Sequence, residues 1–322
     1  MKKYLKNVLS FAAVLMVAGI IIALAPSQSS WAKTRKTSES APSSGNTFVL
    51  FKGIFKTDER QAALDRINEI RLEACKEGVR NPATNQPLKE SDYVPIKWAS
   101  DLEMIAQTRA AEADIYWEHT RPNGKSCFTV KYNGTQSWGE VLAWNYNGNM
   151  VNGVNQWYGE KDDWVAQTAG AVTGHYTSMI NPNNKYVGLG AFVLSGESYI
   201  CISGEFSSYT GLKEDFVGVT GVYYQVIEIP NSKLTVSLGD ATVKKGKTKK
   251  LSLKMKYVNE DSWLSGEYIV GTAYGKVKWS SSDKSKVTVS SKGKVKGKKA
   301  GAATITAKVG SDFTATCSVT VS

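Results

Sequence analysis

Pro230 divides this sequence into two parts whose apolar residues follow different periods. Before it, Ala63, Ile67, Ile70 and Ala74 recur at helical spacing, predicting an amphipathic helix over 58–78. A second helix is expected after Trp98, with Ser100 as N-cap, Glu103 completing a capping box, and Leu102, Ile105, Ala106, Ala110 and Ala113 as its buried stripe. A third covers about 150–164 and carries Val154, Trp157 and Tyr158 on one face. Strand-like runs follow at 187–194, 199–206 and 219–229. Helices and strands mixed without regular βαβ alternation predict an α+β layer fold. Gly188 and Gly190 lie inside one of these strands, where glycine marks a close backbone approach.

After Pro230 the helical period disappears. Leu234, Val236 and Leu238 alternate with polar residues, as do Ala303, Ile305, Ala307 and Val309, and then Ala315, Cys317, Val319 and Val321. Short alternating strands split by Gly, Ser and Lys turns predict a small all-β sandwich over 231–322.

Charge follows the same division. The last 92 residues hold eighteen lysines, no arginine and six acids, a net of +12, whereas the first 230 residues carry −1. A surface that is all lysine lacks the planar forks that read bases, which argues against nucleic acid. It suits attraction to a polyanion such as an anionic cell-wall polymer, or simply a solvated face.

At the other end, Lys2, Lys3 and Lys6 precede an apolar run over 8–25, and Ser30-Trp31-Ala32 offers a small-x-small cleavage site. Residues 1–32 read as an export signal, with an uncleaved membrane anchor as the alternative. Residues 33–57, polar at first, read as a flexible linker and lead-in to a first domain over 58–229. The expected location is secreted or extracellular, with association to the cell wall. Cys75, Cys127, Cys201 and Cys317 fall on helical or strand patterns and are expected to be free buried thiols, Cys127 with Cys201 being the pair to test for a disulfide.

Only two histidines occur, His119 and His175. Glu140 and Glu160, each flanked by aromatic and apolar residues, stand between them in sequence. Two neutral imidazoles suit a divalent metal, and carboxylates beside them suit orientation of the rings or general-base work on water. Ser178, three residues after His175, is a coincidental neighbour rather than a nucleophile, and the tryptophans, among them Trp138, Trp144, Trp157 and Trp164, are expected mostly in core and cleft packing.

The stretch from Trp98 to Ala113, His119-Thr120-Arg121-Pro122, Gly139-Glu140, Trp157-Tyr158-Gly159-Glu160 and Gly174-His175-Tyr176-Thr177 resemble, in order, the motifs of the CAP superfamily (cysteine-rich secretory protein, antigen 5, pathogenesis-related) in its bacterial SCP-like form. The resemblance implies a CAP-type α-β-α sandwich over the first domain. It also implies a cleft tetrad of His119, Glu140, Glu160 and His175, with His119 and His175 as ligands of Zn2+ or another divalent cation. Asn181 stands where the family usually has Trp and Val141 where it commonly has Asn, and its second signature is not recognisable. Lys278-Trp279-Ser280-Ser281-Ser282-Asp283 and Ala300-Gly301-Ala302-Ala303-Thr304-Ile305 resemble the bacterial immunoglobulin-like group 2 pattern, a spacer or adhesive module on exported proteins. Together these imply a secreted protein of a Gram-positive bacterium, its cleft taking a metal, small ligand or peptide and its basic immunoglobulin-like domain holding it at the envelope. Two further readings stand beside it: a hydrolase of peptides or envelope polymers working through the tetrad, and a non-catalytic adhesion or binding module.

Overall fold

The computed structural model describes residues 32–37, 39–146, 148–259, 267–310 and 312–322. The export signal expected in 1–32 lies outside the described residues, save for Ala32. Among the described residues no helix is long and apolar enough to cross a membrane.

The first domain comprises β1 (Lys33–Arg35), β2 (Asn46–Lys56), α1 (Arg60–Lys76), β3 (Lys97–Trp98), α2 (Ser100–Ile115), β4 (Gly139–Tyr146), α3 (Met150–Tyr158), α4 (Lys161–Ala166), α5 (Gly174–Ile180), β5 (Tyr186–Leu194), β6 (Tyr199–Ser207) and β7 (Gly221–Pro230). Its sheet runs β4-β6-β5-β2, with β7 also antiparallel to β2. Alternation along β5 sends Val187, Leu189 and Ala191 into a core shared with Ile67, Ile70, Val154, Trp157 and Met179 of α1, α3 and α5. The opposite face receives α2, giving three layers, α-β-α.

Contact between α2 and β5 is backbone on backbone. A Cβ placed on Gly188 would lie 2.1 Å from the amide nitrogen of Glu103, and one on Gly190 would lie 2.3 Å from the carbonyl carbon of Ala106. Both glycines therefore serve the close approach expected of them. Pressed against the sheet, α2 buries fourteen of its sixteen residues, including Glu103, Gln107, Arg109, Glu112 and Asp114. A stripe of apolar positions was too narrow an expectation for this helix.

Two local readings are corrected. The N-cap of α2 is Ala99, with no side-chain cap. Glu103 instead accepts from Arg60 (3.0 Å) and the Val217 amide (2.7 Å), so a tertiary ion pair outbids the local capping box. The supposed linker is structured too: β1 lies parallel to β7, and β2 is the long strand at the centre of the sheet. Arg35 is buried and donates to Thr108 (2.7 Å) and Gln225 (2.9 Å), hydrogen bonds that composition does not reveal.

After Pro230 come β8 (Leu234–Leu238), β9 (Ala241–Val243), β10 (Thr248–Lys250), β11 (Leu253–Asn259), β12 (Glu267–Ala273), β13 (Val277–Ser281), β14 (Val287–Val289), β15 (Lys294–Gly297), β16 (Gly301–Val309) and β17 (Phe313–Val321). Apart from one 3-10 turn at Asn231–Lys233, every element among the described residues is a strand, as the alternation predicts. The core of this sandwich joins Val287, Val295, Ile305, Ala307 and Val319. All four cysteines are buried free thiols.

The two domains are joined by more than the chain. Strand β12 pairs with β2, Thr272 opposite Leu50 and Ala273 opposite Val49, so β12, β11 and β8 extend the first domain's sheet. Met255 and Tyr257 are fully buried in a core with Phe51, Phe55, Ala110, Phe192 and Ile227 of the first domain. Burying side chains of this size contributes about 1.5–3 kcal/mol each.

Gly190→Ala should lower unfolding free energy by about 3 kcal/mol or more, because the added methyl meets helix backbone, which cannot step aside as a flexible side chain can. Gly239→Ala, where an added Cβ meets nothing within 4 Å, should change it by less than about 1 kcal/mol. Urea denaturation of the two variants checks this, and equal effects would contradict the close contact.

Candidate active site

The site forms where two layers of the first domain meet at the start of β4, the edge strand. One half is built on α2. The Arg109 guanidinium is fully buried and donates Nε to Glu140 Oε2 (2.6 Å) and Nη1 to Glu112 Oε2 (2.7 Å). Its Nη2 donates to the carbonyls of Glu118 (3.2 Å) and His119 (3.0 Å) and to Glu140 Oε1 (3.3 Å). One side chain thus fixes the main chain at His119 and the carboxylate that holds the His119 ring. Glu140 Oε1 lies 2.8 Å from His119 Nδ1. Behind this pair Arg121 grips Glu112 through Nη2 (2.7 Å) and reaches Glu39 through Nη1 (2.9 Å), which ties residues expected to be a spacer into the wall of the site.

The second half comes from the opposite layer. The single helix expected over 150–164 is two: α3 ends at Tyr158 and α4 starts at Lys161, with Gly159 and Glu160 at the break. That break turns Glu160 toward the N-terminus of α5. Its Oε2 accepts the amides of His175 (2.8 Å) and Tyr176 (3.1 Å), and its Oε1 pairs with His175 Nδ1. A carboxylate at a helix N-terminus satisfies amides that have no partner within the helix.

All four residues of the tetrad are brought together. The His119 and His175 rings face one another, centroids 6.4 Å apart and planes 27° from parallel. Each ring has a glutamate on Nδ1, and the Nε2 atoms have no protein partner among the described residues. The His119 side chain is 54% exposed, whereas Glu140 is 1% exposed, so solvent reaches the ring and not its anchor.

Electrostatics distinguish the carboxyls. Burial pushes Glu140 up, but the charge of Arg109 and hydrogen bonds from His119 and Arg109 outweigh it and pull the group down to about 2. Glu112 is likewise held below the usual carboxylate range by Arg121 and Arg109, against the effect of its burial. Glu205, which pairs with Glu140 across β4 and β6, is driven the other way, well above the usual carboxylate range, by burial and by the charge of Glu140. Burial and the same Glu140 charge push the Cys127 thiol up to about 12, leaving it unreactive near neutral pH.

Nδ1 bound to carboxylate favours the Nδ1–H tautomer, which leaves the Nε2 lone pair to accept a proton or ligate a cation. Among the described residues no group of three or more His, Cys, Asp or Glu side chains is arranged around one point as a metal site. Glu140 and Glu160 are committed to orienting the two imidazoles. Ser178 Oγ donates to the Gly174 carbonyl (2.7 Å) as an ordinary intrahelical bond. Of the tryptophans, Trp157 is buried and donates to the Leu142 carbonyl (2.9 Å), while Trp138, expected in packing, is exposed.

Sequence reasoning found the tetrad and missed Arg109, Glu112 and Glu205. A signal was present for two of them: Arg109 and Glu112 stand three apart among Ala106, Ala110, Ala111 and Ala113 of the predicted helix, a spacing that lets them pair on one face. Glu205 had none beyond its place in a strand.

Residues 64–206 match the model of the Cysteine-rich secretory protein family, and residues 232–319 match that of the bacterial Ig-like domain (group 2). Scoloptoxin SSD552 of Scolopendra dehaani is 29% identical over 136 residues, covering 40% of this chain and 61% of that protein. The chain thus spans about three fifths of the length of the curated relative it matches. Similar solved structures include BmVAL-1 (15% identity, 53% of this chain and 83% of that one, TM-score 0.35) and NaASP2 with Zn2+ (15%, 55% and 90%, TM-score 0.34). Venom allergen-like protein 4 of Schistosoma mansoni is a third (14%, 51% and 96%, TM-score 0.33).

Glu140 is ionised in the fold at pH values where the unfolded chain binds a proton, so its contribution is complete above about pH 4.5 and is lost as pH falls toward 2. Acid titration of unfolding free energy should show that decline in the wild type, and Glu140→Gln should flatten it. Arg109→Met should cost about 3–5 kcal/mol by taking the buried cation from Glu140 and leaving Glu112 to Arg121 alone. A loss under about 1 kcal/mol in urea denaturation would contradict this reading of the network.

Proposed function

Because the chain carries a CAP domain followed by a bacterial immunoglobulin-like domain, we propose that it is an exported protein whose His119/Glu140/Glu160/His175 cleft binds a divalent cation or a small ligand. The observation that carries this is the pair of facing imidazoles, each held at Nδ1 by its own carboxylate, with both Nε2 atoms left to a ligand. His119 and His175 would hold the ion, Zn2+ being suited to imidazole. A bound ion there would polarise an oxygen of a ligand or lower the pKa of water. Glu140 and Glu160 keep both rings in the ligating tautomer, and Arg109 keeps Glu140 ionised and in place. With two protein donors the site is open, and affinity should be weaker than at sites with three or four.

The second part of the proposal is retention at the envelope of a Gram-positive cell through the basic second domain. Its support is the charge partition, +12 in the last 92 residues against −1 before them. Lysine attraction to an anionic wall is Coulombic and screened over about 8 Å at physiological ionic strength, about 3 Å at 1 M salt.

Calorimetry of the chain from Ala32 at about pH 7.5 should show zinc binding, with protons released or competing at the ligating nitrogens. The double variant His119→Ala/His175→Ala should lose it. Equal binding by the double variant, or none by wild type, would overturn the cleft reading. In a separate measurement the same chain should sediment with washed Gram-positive walls at low salt and release well below about 1 M NaCl. Retention unchanged by salt would overturn the electrostatic account.

A further inference from the structure

The outward face of β16 and β17 presents Thr304, Thr306, Thr314, Thr316, Ser318 and Thr320, with Lys308 opposite Lys278 of β13 at one end. The outward face of β10 and β15 presents Lys250 opposite Lys294, and Lys296 opposite Thr248. Like charges directly opposite on neighbouring strands are unfavourable to the sheet, so this placement is not a stability device.

The cationic face leads into a groove of about 470 Å³ at the junction of the two domains. Lys250 at the end of β10, Lys276 in the turn before β13 and Lys292 in the turn before β15 line it. Trp279 forms part of its wall, and Tyr224 of β7 closes it from the first domain. No acidic residue lines it. The shape is fixed at one point by Gly293, at φ +73°, where an added Cβ would lie 2.7 Å from the Trp279 ring.

From this we infer that the groove bounded by Lys250, Lys276, Lys292, Trp279 and Tyr224 binds a phosphate-bearing polyol or sugar unit of an anionic phosphodiester polymer, whose continuation runs along Lys294 and Lys296. The volume suits one such unit, since small-ligand clefts measure about 300–1,000 Å³. Lysines from three segments line the one groove, which suits an anionic ligand. Two aromatic side chains offer a surface for the carbon skeleton. Lys294 and Lys296, about 7 Å apart along one strand, extend the cationic row beyond a single phosphate. Nucleic acid fits less well, because the last 92 residues contain no arginine to fork onto bases and the groove has no ladder of aromatics for stacking.

This deepens the envelope reading and rests on it, but its test uses soluble polymers and no wall, so either can fail alone. Inorganic polyphosphate, polyglutamate of matched length and single-stranded oligo-dT are titrated into the chain from Ala32 at several salt concentrations. Polyphosphate should bind most tightly of the three. Lys250→Gln/Lys276→Gln/Lys292→Gln should weaken it at least about tenfold at 50 mM salt and reduce the slope of log K against log salt by about 2, near 0.7 per lost contact on a flexible strand. Lys278→Gln/Lys284→Gln/Lys308→Gln removes the same charge from other parts of the domain and should cost less than about twofold. All six positions are exposed or at a groove surface, so both triples keep their cores intact. Equal losses in the two triples would overturn the groove in favour of diffuse charge. Oligo-dT or polyglutamate binding as tightly as polyphosphate would overturn the ligand class.

Discussion

The buried Arg109 guanidinium is the contact on which the site depends. Taking a guanidinium and two carboxylates out of water costs several kcal/mol per ion, a cost met only when the donors and charges inside are nearly all matched. Here they are matched: Nε, Nη1 and Nη2 all find carboxylate or carbonyl oxygen. The consequence is positional. Arg109 cannot swing away without taking the buried cation from Glu140 and releasing the His119 carbonyl, so the turn carrying His119 and the carboxylate steering its ring are fixed together. Arg121 and Glu39 extend the same network to the stretch that precedes β2.

That network sits where it does because α2 lies so close to the sheet. Gly188 and Gly190 remove the side chains that would hold the helix off, and the gap closes until almost every residue of α2 is buried. Polar residues of such a helix must find partners inside, which is how a helix of ordinary composition comes to carry an ionic core. The other half of the site is held by simpler means. A helix breaks at Gly159 and Glu160, and the glutamate caps the start of α5 while gripping His175. Two unrelated local devices in two layers therefore deliver two imidazoles to one place.

Periodicity made much of this visible in advance, and its failures have physical causes. Helix α1 follows from apolar spacing because it buries one face, and the same spacing located α2, β5 and β6 although these are buried on nearly every side. The capping box at Ser100 failed because Glu103 gains more from Arg60 and the Val217 amide, which are distant in sequence. Residues 33–46 looked like spacer because their polar side chains make tertiary bonds that composition does not encode. The pairing of β12 with β2 was invisible for the same reason: sheet edges carry no sequence label, and Gly271, whose added Cβ would lie 2.4 Å from Val49, becomes meaningful only once the strands meet. His119, Glu140, Glu160 and His175 were legible because rare residue types fell at motif positions. Glu205 was not, since a lone acid in a strand more often faces solvent.

The central claim is that carboxylates on Nδ1 leave both imidazoles with an open Nε2. Nitrogen-15 NMR of the two histidines near neutral pH reads this without any ligand or assay. The account predicts that the neutral form of each ring is the Nδ1–H tautomer, with Nε2 showing the shift of an unprotonated nitrogen. Arg109→Met should shift the tautomer ratio at His119 and leave His175 unchanged. An Nε2–H tautomer at both rings in the wild type would contradict it.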